Sequence, residues 1–327
     1  MGAQFLQFGG QSASAGTGLC SGPRRCFGMS DLSVAVGGLV LKNPVIAAAG
    51  TFGFGAEYTQ IYDVSCLGGI CTKGLTLRPR QGNPPPRLWE TPCGLLNSIG
   101  LENPGVEAFL REELPRMRGL GTAVIANVWG ETPEEYGELA ERLSDSGVDA
   151  IELNLSCPNV PGGRIRGGVP EEVARIVELC RRVCEKPLWV KLPPEGDVLG
   201  AARAAEQAGA DAITAGNTFR ALAIDIEKGR PAFAAGIGGL SGPAIKPIAL
   251  RVVYELSQNL KIPVIGCGGI TSWQDAVEFI MAGAHAVQVG TGNFIDPLCI
   301  PKLIRGLEDF LAERGLKDWE GVRGCAH

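Results

Sequence analysis

The chain has 327 residues, 45% of them hydrophobic and 20% charged, with a formal net charge of −5. That composition supports a sizeable core and excludes wholesale disorder, while the length suits two small domains or one α/β barrel of about 250 residues. An acidic balance without a Lys/Arg block leaves no field to gather nucleic acid, and no apolar run approaches the roughly 18 residues that cross a bilayer, so no membrane contact and a cytoplasmic location are expected.

The eleven cysteines are scattered without a CxxC pair, so reduced thiols are expected and neither a disulfide framework nor a metal site. Only His285 and His327 are histidines, which leaves most His-based acid/base or zinc schemes without their parts. Cys180 and Cys184 sit one helical turn apart with no His or third Cys beside them, a spacing that suits helix packing. No clustered spacing of the iron–sulfur type occurs.

In chain order, residues 1–29 are rich in Gly, Ser, Ala and Gln and lack periodicity; they are expected to be a disordered leader, or to precede a true start at Met29. Residues 30–315 are expected to form the folded domain and 316–327 a tail. Strand-like apolar runs bounded by turn residues fall at 44–50, 67–74, 122–129, 148–155, 187–192, 210–216, 263–268 and 285–290. Helical patterns separate several of them: 133–146, with Thr132 as N-cap and Pro133 at the first helical position, then 170–185, 197–208, 243–259 and 272–282. Alternation of this kind predicts an α/β fold, a (β/α)8 TIM barrel with parallel strands. Two Gly/Pro-rich connections, 75–104 and 217–243, are too long for turns and are expected to extend over the C-terminal face of the strands, where barrel sites lie.

Polar residues stand where these apolar strands end: Lys73, Asn127, Asn154, Lys191, and the pair Asn217 and Thr218. Any one of them could be a helix cap or a snorkelling lysine; five strand ends together point to one polar mouth. After the seventh and eighth strands come GCGGI (266–270) and VGTGNF (289–294), glycine turns whose free N–H groups suit a phosphate. A phosphate site, lysines and amides able to bond a flat heterocycle suit FMN better than a nicotinamide dinucleotide, because no GxGxxG opens the first βα unit.

Just past the fourth strand stands Asn154-Leu155-Ser156-Cys157-Pro158-Asn159. An ordinary thiol titrates near 8.5, so Cys157 could accept a proton near neutrality with a cation such as Lys73 or Lys191 beside it.

The strings TKGLTLRPRQGNPPPR, LLNSIGLENPG, VIANVWG, IELNLSCPN, GGLSGPAIKP, IPVIGCGGI and AVQVGTGNF, in that order between about Ser30 and Lys302, closely resemble class 1 dihydroorotate dehydrogenases. Cysteine at 157 resembles class 1 rather than class 2, and GGLSGPAIKP with GLLNSIGLENPG looks most like class 1B. The resemblance implies oxidation of (S)-dihydroorotate to orotate in pyrimidine (UMP) synthesis, with one FMN per chain. Cys157 would remove the C5 proton while FMN accepts hydride from C6. It also implies a homodimeric core beside a subunit that carries FAD and a 2Fe-2S cluster, a heterotetramer passing electrons to NAD. Class 1A, which uses fumarate, is the close alternative.

Position by position, the resemblance implies substrate contacts from Lys73, Asn97, Ser98, Ile99, Gly100, Leu101, Asn154, Asn159, Asn217 and Thr218. Cofactor contacts are implied for Ala49, Lys73, Gly74, Asn127, Asn154, Lys191, Gly216, Gly242, Gly268, Gly269, Gly290 and Thr291. Three departures stand out: Pro193 replaces a common serine in a loop one residue short, Gly216 a larger apolar residue, and Ala49 a frequent serine. Rival readings are a dihydropyrimidine dehydrogenase, a tRNA dihydrouridine synthase, against which the acidic balance argues, and a flavin scaffold without chemistry, against which Cys157 and Lys73 argue.

Overall fold

Strand-length runs of Val, Ile, Leu and Ala between turn residues bury both faces when helices cover them, and the chain does this eight times. The computed structural model describes residues 30–156 and 166–327. The barrel strands are β1 (Val45–Ala47), β2 (Gly69–Cys71), β3 (Ala123–Val128), β4 (Ala150–Asn154), β5 (Leu188–Leu192), β6 (Ala212–Ala215), β7 (Val264–Cys267) and β8 (Ala286–Val289). They pair in sequence order, all parallel, and β8 closes on β1. Each of the eight expected runs holds one strand, so the expected barrel is the observed fold.

The helices start where local chemistry sets them. Helix Pro133–Ser144 has Thr132 accepting a hydrogen bond from the Glu135 amide and proline at its first position. Its buried stripe of Tyr136, Leu139, Ala140 and Leu143 faces the barrel. Helix Trp273–Met281 opens with a capping box between Ser272 and Asp275. Cys180 and Cys184 are both buried packing groups, as their spacing suggested. No helix among the described residues is long and apolar enough to cross a membrane.

Four features go beyond what the sequence alone implies. The two long connections do not merely cover the barrel; they pair with each other across the chain. Strands Leu88–Thr91 and Gly94–Asn97 from the first join Phe219–Ala221 and Gly238–Ser241 from the second in one antiparallel sheet. A hairpin, Val34–Val36 with Leu39–Leu41, precedes the barrel. A last helix, Cys299–Glu313, buries Ile300, Leu303, Leu307 and Leu311. The segment 316–327, expected as a tail, is docked: Trp319 and Val322 are buried, and the amides of Gly324 and Ala326 donate to Ile280 and Met281.

That docking packs the segment against the end of helix Trp273–Met281, close to the turn in which His285 precedes β8. Burial, with Arg323 beside it, pulls the His285 imidazole down to about 4, and its Nδ1 has no hydrogen-bond partner among the described residues. An unfolded histidine binds a proton below about 6.5, so between 6.5 and 4 the unfolded chain holds the extra proton and stability falls with pH. His285→Leu should remove that portion of the acid limb. Thermal midpoints of the two proteins from pH 4 to 7 would check this, and a gap that stays constant with pH would refute it.

Candidate active site

At the C-terminal ends of the strands a cavity of about 250 Å³ opens under the accessory sheet. Lys73 and Gly74 reach it from the end of β2, Asn127 from β3, Asn154 from β4, Lys191 from β5, and Asn217 and Thr218 from the segment after β6. Gly268 and Gly269 follow β7, and Gly290 and Thr291 follow β8. Ala49, Asn97, Ile99, Gly100, Leu101 and Gly242 complete the expected residues that line it. Parallel register explains this convergence: Asn127 lies opposite Glu152, Asn154 opposite Lys191, and Lys191 opposite Thr214, so these alternate residues of neighbouring strands all point into the barrel.

Two expected residues do not line the cavity. Ser98 is buried beside it, its hydroxyl accepting a hydrogen bond from Asn83 Nδ2 at 2.9 Å, which turns it away. Gly216 stands just behind the wall with φ +118°, and an added Cβ would lie 2.5 Å from the Cys267 carbonyl oxygen. Glycine at 216 is therefore a backbone requirement of this chain. Cys157 and Asn159 lie outside the described residues.

The substrate-side loop is held in an uncommon conformation. Leu101 has φ +57°, the single non-glycine residue with positive φ among the described residues, and it follows Gly100 at φ +75°. An added Cβ on Gly100 would come within 2.5 Å of Asn83 Oδ1, so side-chain packing from 83 presses this turn into the cavity wall. Opposite it, Asn217 Nδ2 donates to Ser156 Oγ at 2.7 Å, and Asn217 Oδ1 accepts from the Thr218 amide at 2.8 Å. Tyr136 from its helix donates to the Asn154 carbonyl at 2.8 Å, which ties down the end of β4.

The two lysines differ in kind. Lys191 is nearly sealed, 5% exposed, donates to Gln288 Oε1 at 2.7 Å and lies 3.8 Å from Glu152 Oε1. Burial alone would push its pKa down; the acidic groups of Cys267, Glu152 and Cys71 outweigh that and hold it above the ordinary lysine range. Burial likewise works against the Glu152 carboxylate, but Lys191 and hydrogen bonds from Thr214, Cys71 and Gln288 bring it below the ordinary range. Lys191 and Glu152 thus neutralise one another. Lys73 has no hydrogen bond or ion pair from its ammonium among the described residues, and its charge is the one the cavity offers to an anion. Pro193, the departure beside Lys191, is buried, and an added Cβ on Gly167 would meet its Cδ at 2.4 Å, so tight packing replaces the serine.

The glycine turns keep donors in reserve. The amides of Gly268, Gly269, Gly290 and Thr291 have no hydrogen-bond acceptor among the described residues, and all four residues are half-buried in the cavity lining. Four unpartnered donors on one wall, with a cation at the floor, fit a phosphorylated cofactor with a flat ring. Thr291 Oγ1 donates to Ser241 Oγ at 2.7 Å, and both line the same wall.

Sequence reading missed Ser241, Thr51 and Cys267 in the lining, and it missed Glu152, Thr214 and Gln288 beneath it. Glu152 and Gln288 carried a signal: AIELN and AVQV are strands too apolar to be exposed, so a carboxylate and an amide inside them must be buried and partnered.

A closed parallel barrel with a polar cavity at the C-terminal strand ends is the architecture of a barrel enzyme. The profile of the family described as dihydroorotate dehydrogenase matches residues 31–311, and the chain belongs to that family. It is 51% identical over 296 residues to the dihydroorotate dehydrogenase B (NAD(+)) catalytic subunit of Thermoanaerobacter pseudethanolicus, which covers 90% of this chain and 98% of that protein. It is 53% identical over 296 residues, with the same coverage of 90% and 98%, to the protein of the same name from Caldicellulosiruptor saccharolyticus. The like-named protein of Geotalea daltonii is 52% identical over 298 residues, again 90% of this chain and 98% of that one. The class 1B resemblance of the motifs is thus matched along nearly the whole length of these relatives.

Proposed function

We propose that the chain is a dihydroorotate dehydrogenase catalytic subunit that oxidises (S)-dihydroorotate to orotate for pyrimidine synthesis. It works in the cytoplasm beside a partner that carries FAD and a 2Fe-2S cluster and delivers electrons to NAD, two of each chain assembling around a catalytic homodimer. One observation carries the reading: a single uncompensated ammonium, Lys73, shares a cavity with the side-chain amides of Asn97, Asn127, Asn154 and Asn217. A small anion with a ring of alternating N–H and C=O groups suits that set, because the cation selects its carboxylate and the amides between them supply donors and acceptors.

FMN, bound along the glycine turns, supplies the acceptor for the hydride that leaves C6 of the substrate. The amides of Gly268, Gly269, Gly290 and Thr291 hold its phosphate, and Gly74, Asn127 and Lys191 bound its ring. Lys73 pairs with the substrate carboxylate, and Asn97, Asn154, Asn217 and Thr218 grip the ring edges, with Asn159 as a further donor. Cys157, on the segment that continues from Ser156, takes the proton from C5 as a thiolate favoured by Lys73. Cys267 also lines the cavity, but burial pushes its thiol up, which leaves Cys157 as the thiol suited to proton transfer near neutral pH.

The purified chain should contain about one FMN, whose absorbance bleaches on mixing with dihydroorotate and stays unchanged with dihydrouracil, which lacks the carboxylate. Bleaching by dihydrouracil alone would overturn the substrate. Multiple turnover with fumarate by the isolated chain, with no iron–sulfur protein co-purifying, would overturn the NAD-linked partner in favour of a class 1A enzyme.

A further inference from the structure

Two arms of hydrogen bonds converge on Glu152 from opposite sides of the cavity floor. The first starts at Ser156, whose backbone N–H can only donate, and it does so to Asn154 Oδ1 at 3.3 Å; its hydroxyl adds a second bond to the same oxygen at 2.9 Å. Asn154 must therefore present its NH2 to Asn127 Oδ1, at 3.2 Å, and Asn127 its NH2 to Glu152 Oε1, at 2.7 Å. The second arm starts at the Lys191 ammonium, also donor only. It donates to Gln288 Oε1 at 2.7 Å, which turns Gln288 Nε2 onto Glu152 Oε2 at 2.5 Å. The Thr214 hydroxyl donates to Oε2 at 2.7 Å and the Cys71 thiol to Oε1 at 3.2 Å.

Because both arms arrive as donors, both oxygens at position 152 must accept. An ionised carboxylate satisfies this and a carboxamide of the same shape cannot: its NH2 would confront either the NH2 of Asn127 or that of Gln288. Glu152 is fully buried and does not line the cavity, yet Asn127, Asn154 and Lys191 all do.

We propose that Glu152 is the positioning residue of this site, the shared acceptor on which both arms end and without which Asn127 and Asn154 could not keep the edges, nor Lys191 the placement, that the cavity presents. The identity of the ligands that read those edges rests on the function proposed above. A reversed amide would offer a donor where the bound ring expects an acceptor, and a released Lys191 would add an unbalanced charge beside Lys73. Buried polar groups left unpaired are costly enough for this to be felt in binding.

The test uses the full chain as Glu152→Gln, Gln288→Glu and the double variant carrying both. Glu152→Gln leaves one arm with donor facing donor, and Gln288→Glu sets two carboxylates against each other. In the double variant the carboxylate at 288 accepts from Lys191 and from the new amide at 152, whose oxygen still accepts from Asn127, while the Thr214 hydroxyl, a donor to Oε2 in the parent, rotates to accept from that amide, so both arms again run from donor to acceptor with no change of volume. With FMN-saturated protein, the orotate dissociation constant read from the flavin absorbance shift should weaken about tenfold to a hundredfold in each single variant. The double should return to within about threefold of the parent.

A merely structural role would lower thermal midpoints without producing that order of orotate affinities. Orotate binding by Glu152→Gln equal to the parent, or a double variant no better than Glu152→Gln, insolubility of both included, would overturn the proposal. Should the parent itself bind neither FMN nor orotate, the functional reading falls instead; the thermal midpoints, double above either single, still decide whether the two arms need one acceptor between them.

Discussion

Cys157→Ser is expected to retain FMN and bind orotate like the parent protein, yet to oxidise dihydroorotate about a hundred- to ten-thousand-fold more slowly near neutral pH. That range is what positioned proton transfer contributes in enzymes generally. The two side chains differ by one atom, so packing and cofactor binding have little reason to change. Their acidities differ greatly: a thiol near 8.5 supplies thiolate at working pH, more so beside a cation, whereas a hydroxyl remains protonated. On the function proposed above, Lys73, the cation of this cavity without a partner among the described residues, is the group expected to favour the thiolate. Rapid-mixing measurement of flavin bleaching at saturating dihydroorotate isolates this step from later electron transfer. Bleaching within threefold of the parent rate would remove Cys157 from the reaction.

Lys191→Met is expected to lower folding stability by about 3–5 kcal/mol at neutral pH, the usual consequence of stranding one member of a buried ion pair. Glu152 is 0% exposed, and methionine fills the space of the lysine stem without offering a charge. The pH dependence has a definite sign. In the folded chain Glu152 is held below the ordinary carboxylate range, so its contribution is present above about 4.3 and is lost as pH falls through the folded value. Lys191 is held above the ordinary lysine range, so its contribution is present below about 10.4 and is lost as pH rises through the folded value. The pair therefore contributes fully between about pH 5 and 10. Without Lys191, desolvation raises the Glu152 pKa, and protonation relieves the stranded charge. The deficit should be largest at pH 7 to 8.5 and shrink toward pH 5. Urea unfolding at those values would measure it, and a deficit under 1 kcal/mol, or one flat across the range, would show that the two charges are not coupled.

Eight apolar runs of strand length, alternating with capped helical stretches, already determine the barrel, because each run must bury both faces and parallel neighbours need crossover helices. The strand ends were equally legible: Lys73, Asn127, Asn154, Lys191 and Asn217 are polar residues that interrupt apolar segments, and all of them reach one cavity. Local signals of this sort survive in a linear string because a cap, a turn or a strand end is specified by residues a few positions apart.

Only the tertiary structure could decide which polar groups partner one another. Whether Lys191 or Lys73 carries the uncompensated charge depends on Glu152 and Gln288, which lie 39 and 97 residues from Lys191 in the chain and meet it only when the barrel closes. The accessory sheet has the same origin: Gly94–Asn97 finds its partner at Gly238–Ser241, and short strands pair that far apart only after the barrel has brought their ends together. Ser98 and Gly216 show the remaining limit. The Ser98 hydroxyl is engaged by Asn83, and the Cys267 carbonyl leaves no room for a Cβ at 216, contacts set by packing in three dimensions that no spacing along the chain encodes.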